Sequence, residues 1–156
     1  MNQELVKFSE IGESTLQAEI EIKTTPDKVY AAWTKQEQFV KWFGPRVDGS
    51  LEVDTFDCSV GGRYDVTMVF ADGDRVQLLG DFQELDPPNK LVFTWQWKEG
   101  PTAAAAPTLV TVDITPSKIG TLLTLTHERF ISTQSRNDHQ QGWGPLLERL
   151  AKVLAN

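Results

Sequence analysis

His127 is the residue best suited to proton chemistry in this chain, because it follows Leu123 and Leu125 at a spacing of two. On a strand, that spacing puts the imidazole on an apolar face. There it could hydrogen-bond a ligand or act as a general acid or base. Spacing supplies it with no Ser, Cys or carboxylate partner, which favours a buried histidine paired with a backbone carbonyl or a carboxylate. Tyr64 follows a Gly61-Gly62 bend and points inward if Val66 and Met68 do. Its hydroxyl could orient a ligand or donate a proton, or stay wet while the ring fills the core. Cys58 stands alone, so no internal disulfide or thiolate zinc cluster can form. It reads as an inert, half-buried thiol. Asp81, Glu84 and Asp86 cluster at a strand end and read as a solvated face, since a calcium ion needs about 6–8 oxygens. Gly61-Gly62 opens a strand, not a helix, and so makes no phosphate cradle.

The aromatic residues are the other candidates. Trp33, Trp42 and Phe43 fall in two short helical segments, and Phe82, Phe93, Trp95 and Trp97 share strand faces. Trp143 belongs to the last segment. They could line a pocket for an apolar or aromatic ligand, or fill a solid core.

The elements that must position these groups follow from periodicity. Leu16, Ala18, Ile20 and Ile22 alternate with polar residues as a half-buried strand. Thr25-Pro26 reads as N-cap and first helical residue. Thr34 and Glu37 make a capping-box pattern that starts a second short helix, which Gly44-Pro45 stops. Strands follow around Leu51–Asp54, Arg63–Phe70, Val76–Phe82, Leu91–Trp97, Val110–Thr115 and Leu122–His127. Asp72-Gly73, Pro87-Pro88-Asn89 and Lys118-Ile119-Gly120 provide turns. Lys98 to Pro107 is a loop, either a lid or a tolerated insertion. Trp143, Leu146, Leu147, Leu150 and Leu154 form one helical face, and Pro145 predicts a helix that begins near it or kinks there.

This order predicts an α+β helix-grip fold: a curved antiparallel sheet of six to seven strands around a long C-terminal helix, with two short helices after the first strand. With 156 residues the chain is expected to be a single domain, residues 1–156, with 1–13 a segment free to be flexible. A charge of −7, from 15 Lys and Arg against 22 Asp and Glu, disfavours nucleic acid and anionic membrane surfaces. No secretory h-region or membrane-length apolar run is present, so a cytoplasmic location is expected and membrane insertion is not.

Five segments carry a family resemblance: VYAAWTKQEQFVKWFGP from Val29, DCSVGGRYDVTM from Asp57, GDFQELDPPNKLVFTWQW from Gly80, GTLLTLTHERF from Gly120 and HQQGWGPLLERLAKVL from His139. Together they resemble the bacterial homologues of the activator of the heat-shock-protein-90 ATPase, within the START/Bet v 1-like (SRPBCC) superfamily. The resemblance implies a deep hydrophobic cavity between the sheet and the long helix. With that cavity, the expected ligand-lining set is Trp33, Phe39, Trp42, Phe43, Tyr64, Met68, Phe82, Phe93, Trp95, Trp97, His127, Trp143 and Leu147. The leading expectation is binding of a small hydrophobic molecule without catalysis, metal or cofactor. The resemblance also implies a chaperone-linked interaction module, presenting its acidic outer face to a basic partner. A cyclase- or dehydratase-like enzyme using His127 and Tyr64 ranks last. A monomer and a homodimer through an open sheet edge both fit.

Overall fold

A computed structural model describes residues 6–45, 49–100, 103 and 105–155. The element order is β1 (Lys7–Gly12), β2 (Thr15–Ile22), α1 (Pro26–Thr34), α2 (Gln36–Phe39), β3 (Ser50–Phe56), β4 (Arg63–Val69), β5 (Arg75–Asp86), β6 (Lys90–Trp97), β7 (Thr108–Pro116), β8 (Thr121–Glu128) and α3 (Thr133–Ala155). All pairings are antiparallel, in the order β1-β2-β8-β7-β6-β5-β4-β3. The inward alternates of these strands and one face of α3 share one apolar interior. This is the expected α+β helix-grip arrangement.

The sheet has eight strands, not six to seven. The added one is β1, inside the segment expected to be free; residues 1–5 of that segment lie outside the described residues. Its sequence, KFSEIG, has no regular apolar alternation. As an edge strand it is held by the backbone ladder to β2, where Lys7 pairs with Glu19 and Phe8 with Ala18. Arg136 of α3 ties down the adjoining turn by donating to the Gly12 carbonyl at 2.6 Å.

The helix starts also differ from the caps read in sequence. Thr25 does precede α1, with Pro26 in its first turn. The capping box does not form: Lys35 is the N-cap of α2, and the Thr34 hydroxyl turns back to donate to the Tyr30 carbonyl at 2.9 Å. α3 begins twelve residues before Pro145, capped by Ser132, whose hydroxyl accepts from the Ser135 N–H at 3.1 Å. Pro145 lies inside the helix, so the Gln141 carbonyl has no helical N–H partner four residues on.

One close approach depends on glycine. Gly80 on β5 stands opposite Tyr64 on β4. A Cβ at Gly80 would lie 2.0 Å from the Thr94 carbonyl oxygen and 2.6 Å from Cε2 of Tyr64. The bare backbone lets the Tyr64 ring cross the strand, and its hydroxyl donates to the Thr94 carbonyl at 2.5 Å. Gly80→Ala is expected to cost about 1–3 kcal/mol by overpacking. Gly12→Ala, where a Cβ meets nothing within 4 Å, is the control. Urea melts that place the two variants at equal midpoints would contradict this account.

Candidate functional site

The interior divides into a filled part and an open part. In the filled part, Trp33 packs edge-on against Trp42 at 4.6 Å between centroids, and Phe39 stacks on Phe43 at 4.6 Å. Tyr64 contacts Phe82 at 5.7 Å and Phe93 at 5.8 Å. Trp42 is also anchored by donating its indole N–H to the Ala32 carbonyl at 2.9 Å. A gap of about 20 Å³ remains among Trp33, Phe39, Phe43, Phe56, Tyr64, Phe82, Phe93 and Trp95. That is about the room needed by one water molecule.

The open part is a cleft of about 360 Å³ between the β4–β6 side of the sheet and α3. Met68 and Phe70 form one wall, and Trp95 and Trp97 the back. Gly44 and Pro45 close one end, and α3 contributes residues from Asp138 to Arg149. Of the thirteen residues expected to line a cavity, Met68, Trp95, Trp97 and Trp143 border this cleft. Trp33, Phe39, Phe43, Tyr64, Phe82 and Phe93 border only the small gap, because their rings pack on one another. Trp42, His127 and Leu147 are fully buried and border neither. The described part of the 98–107 loop reaches a second gap of about 20 Å³ through Ala105 and Ala106, not the cleft; its Pro101, Thr102 and Ala104 lie outside the described residues.

Two tryptophan–histidine pairs hold α3 to the sheet beside the cleft. Trp143 donates its indole N–H to Nδ1 of His127 at 3.0 Å. An indole nitrogen can only donate, so Nδ1 is unprotonated and Nε2 carries the hydrogen. Nε2 lies 2.7 Å from Oγ1 of Thr108, whose hydroxyl donates to the Trp95 carbonyl at 3.0 Å. Trp97 donates to Nε2 of His139 at 2.9 Å, and Nδ1 of His139 donates to the Ser135 carbonyl at 2.8 Å. The two imidazoles are 5.1 Å apart and both rings touch Trp95. Arg129, with φ of 75°, turns the chain so that Phe130 also comes inside, 4.3 Å from His127. Both histidines are therefore neutral and each has a single tautomer. Burial, and for His127 the second imidazole, push both below the ordinary value of 6.5.

These bonds remove His127 from acid–base work on any ligand. Its partners are an indole and a threonine, not the carbonyl or carboxylate expected from sequence. Tyr64 is likewise committed: its hydroxyl is dry, bonded to Thr94, and raised well above 10.0 by burial and then by Asp81. Cys58 is pushed up to about 11 by burial, helped by Asp57, so it stays a thiol at neutral pH. Among the described residues, no three His, Cys, Asp or Glu side chains come together in a way that could hold a metal.

His139, Gln141, Gly142, Pro145, Leu146 and Arg149 also border the cleft and are not among the lining residues expected from sequence. The signal was available in the helical spacing. Residues 139, 142, 146 and 149 recur at three- and four-residue steps beside the apolar stripe of Trp143, Leu147 and Leu150. Arg149 reaches across the end of the cleft, and its Nη1 donates to the carbonyls of Trp42 at 3.3 Å, Gly44 at 3.4 Å and Pro45 at 2.9 Å.

Comparison with known proteins fits this architecture. The family profile described as Activator of Hsp90 ATPase homolog 1-like protein matches residues 23–155. The chain belongs to this family. A family relative, the AHSA1 protein from Silicibacter pomeroyi, is 26% identical, with a TM-score of 0.78 over 91% of this chain and 98% of that one. A protein from Chromobacterium violaceum superimposes with a TM-score of 0.82 at 23% identity, over 92% of this chain and 99% of that one. One from Mycobacterium smegmatis gives 0.79 at 18% identity, over 95% and 97%. No curated protein matches the sequence. The fold of this Activator of Hsp90 ATPase homolog 1-like chain is of the SRPBCC, Bet v 1-like type, and no helix among its described residues is long and apolar enough to cross a membrane.

The paired imidazoles make the stability of this family member depend on pH. The unfolded histidines titrate near 6.5, while the folded ones stay neutral to lower pH. The unfolded chain then binds more protons, so stability falls as pH drops below 6.5 and is fully retained above it. The loss is up to about 1.4 kcal/mol per histidine per pH unit, until each folded-state value is reached. His127 and His139 are the only histidines in the chain, so urea midpoints between about pH 7 and 5 report mainly on them. A flat midpoint over that range would contradict neutral, indole-bonded imidazoles.

Proposed function

We propose that the chain binds a small, mainly apolar molecule in the cleft between β4–β6 and α3, and does no chemistry on it. The supporting observation is the cleft itself: about 360 Å³, walled by Met68, Phe70, Trp95, Trp97, Trp143 and Leu146. That volume lies within the usual range for small-molecule sites. Two other hollows carry charged side chains at their borders: the one beside Cys58, of about 530 Å³, has Asp27 and Lys35, and the one beside Gln134, of about 350 Å³, has Glu99 and Asp138. Absence of catalysis is supported by His127 and Tyr64, whose polar atoms are already bonded within the fold. Family membership supports a ligand-binding or Hsp90-ATPase-activator-like module in general. The cleft favours the first of these.

A ligand burying on the order of 200 Å² of apolar surface gains about 5 kcal/mol, so sub-millimolar dissociation constants are expected. Gly142 offers a way to close the site without unfolding the protein. It borders the cleft in the middle of α3, and a Cβ there meets nothing within 4 Å. Gly142→Leu is expected to raise stability by about 0.5–1 kcal/mol through helix propensity while filling the cleft. Decanol and naphthol should raise the melting temperature of the native protein and quench its tryptophan fluorescence, and Gly142→Leu should lose both effects. Equal responses from the two proteins, or none from the native one, would overturn the proposal.

A further inference from the structure

Resting on the cleft reading above, we infer that the ligand carries one carboxylate, held by Arg149. Arg149 is the only cation among the described residues bordering the cleft. Its Nη1 is spent on the backbone carbonyls of Trp42, Gly44 and Pro45. An arginine has five N–H donors in a planar fork, and the three on Nη2 and Nε make no hydrogen bond to a described residue. No carboxylate among the described residues pairs with it; the ion pair formed there is Arg75–Glu52, elsewhere on the sheet.

The carbonyl clamp gives this cation a function beyond charge. A guanidinium pinned at one nitrogen loses little further freedom when a planar anion meets its other edge. The charge is half-buried beside apolar walls, where a charge-assisted, bidentate bond is stronger than one in water. Asp138, at the opposite end, stands eleven residues earlier on α3, about 16 Å along the axis. It is exposed and accepts from Gln134 at 2.9 Å, so it does not neutralise Arg149. The two ends therefore have opposite signs, which orients an amphipathic acid with its carboxylate toward Arg149 and its apolar body along Trp95, Trp97 and Trp143.

The count of charges selects a monoanion. A single guanidinium balances a single negative charge, and the chain as a whole carries −7. A phosphate monoester would bring a second charge, and among the described residues bordering the cleft there is no second cation to meet it.

Matched ligands separate this inference from the reading it rests on. Decanoate, decanol and decyl phosphate share one apolar chain, and their affinities can be read by isothermal titration calorimetry at neutral pH. The expected order is decanoate tighter than decanol by about tenfold or more, with decyl phosphate no tighter than decanoate. In Arg149→Met, which keeps the length of the stem, decanoate should fall to the affinity of decanol while decanol is unchanged within about twofold. Arg149→Lys, which keeps the charge but not the fork, should retain part of the preference and serves if the methionine variant does not fold. Equal binding of decanoate and decanol to the native protein overturns the carboxylate and leaves the apolar cleft standing. Tighter binding of decyl phosphate overturns the monoanion. A decanoate preference that survives both substitutions overturns the assignment to Arg149. No binding of any of the three overturns the cleft reading and this inference together.

Discussion

Two indole N–H groups donate to two neutral imidazoles, and the placement of α3 over the sheet depends on that exchange. Trp143 on α3 reaches His127 on β8, and Trp97 on β6 reaches His139 on α3. The helix is thus both donor and acceptor to the strands it covers. Each bond pairs groups that would cost about 1–3 kcal/mol if buried unpaired. Thr108 extends the network to the Trp95 carbonyl, and Ser135 fixes the second ring, so neither imidazole can rotate or change tautomer without breaking a neighbour's bond. By comparison, the indole N–H groups of Trp33 and Trp95 are buried with no partner among the described residues. Their rings are held by packing alone.

Trp95, whose carbonyl ends that network, borders both a filled interior and an open one. Toward β4 and the short helices, aromatic rings pack on aromatic rings until only a water-sized gap remains. This filling needs Gly80, where the Tyr64 ring passes over a strand with no side chain. On the other side, α3 stands off the ends of β4 and β6, and the cleft opens where Gly142 and Pro145 present little bulk. Five tryptophans divide between the two functions. Trp33 and Trp42 belong to the filled side, Trp97 and Trp143 to the cleft wall, and Trp95 touches both.

Much of the fold was legible because its strands are half-buried. The alternation through Leu16–Ile22 and through Leu123–His127 reflects one wet and one dry face, and it placed both strands within a residue or two. The turns at Asp72-Gly73 and Lys118-Ile119-Gly120 carried their own backbone chemistry. The first strand was not legible, since an edge strand held by ladder bonds needs no apolar period. The polar first half of α3 hid the true start of that helix for the same reason: Ser132 caps it, and no apolar stripe announces it. Within the site, composition could indicate a shared aromatic interior but not which rings meet each other and which meet space. That depends on packing between elements far apart in sequence, such as Phe43 on Trp95 and Tyr64 on Phe93. Nothing in the sequence around Arg149 shows that the carbonyls of Trp42, Gly44 and Pro45, more than a hundred residues earlier, gather at its guanidinium.

The central claim is that both imidazoles are neutral and each is locked in one tautomer by a tryptophan donor. Nitrogen-15 NMR of the imidazole side chains at neutral pH tests it most directly, because protonated, hydrogen-bearing and bare ring nitrogens have distinct shifts. The account predicts a bare Nδ1 with a hydrogen-bearing Nε2 for His127, and the reverse for His139. Averaged shifts, a charged ring, or the opposite tautomer at either position would contradict it.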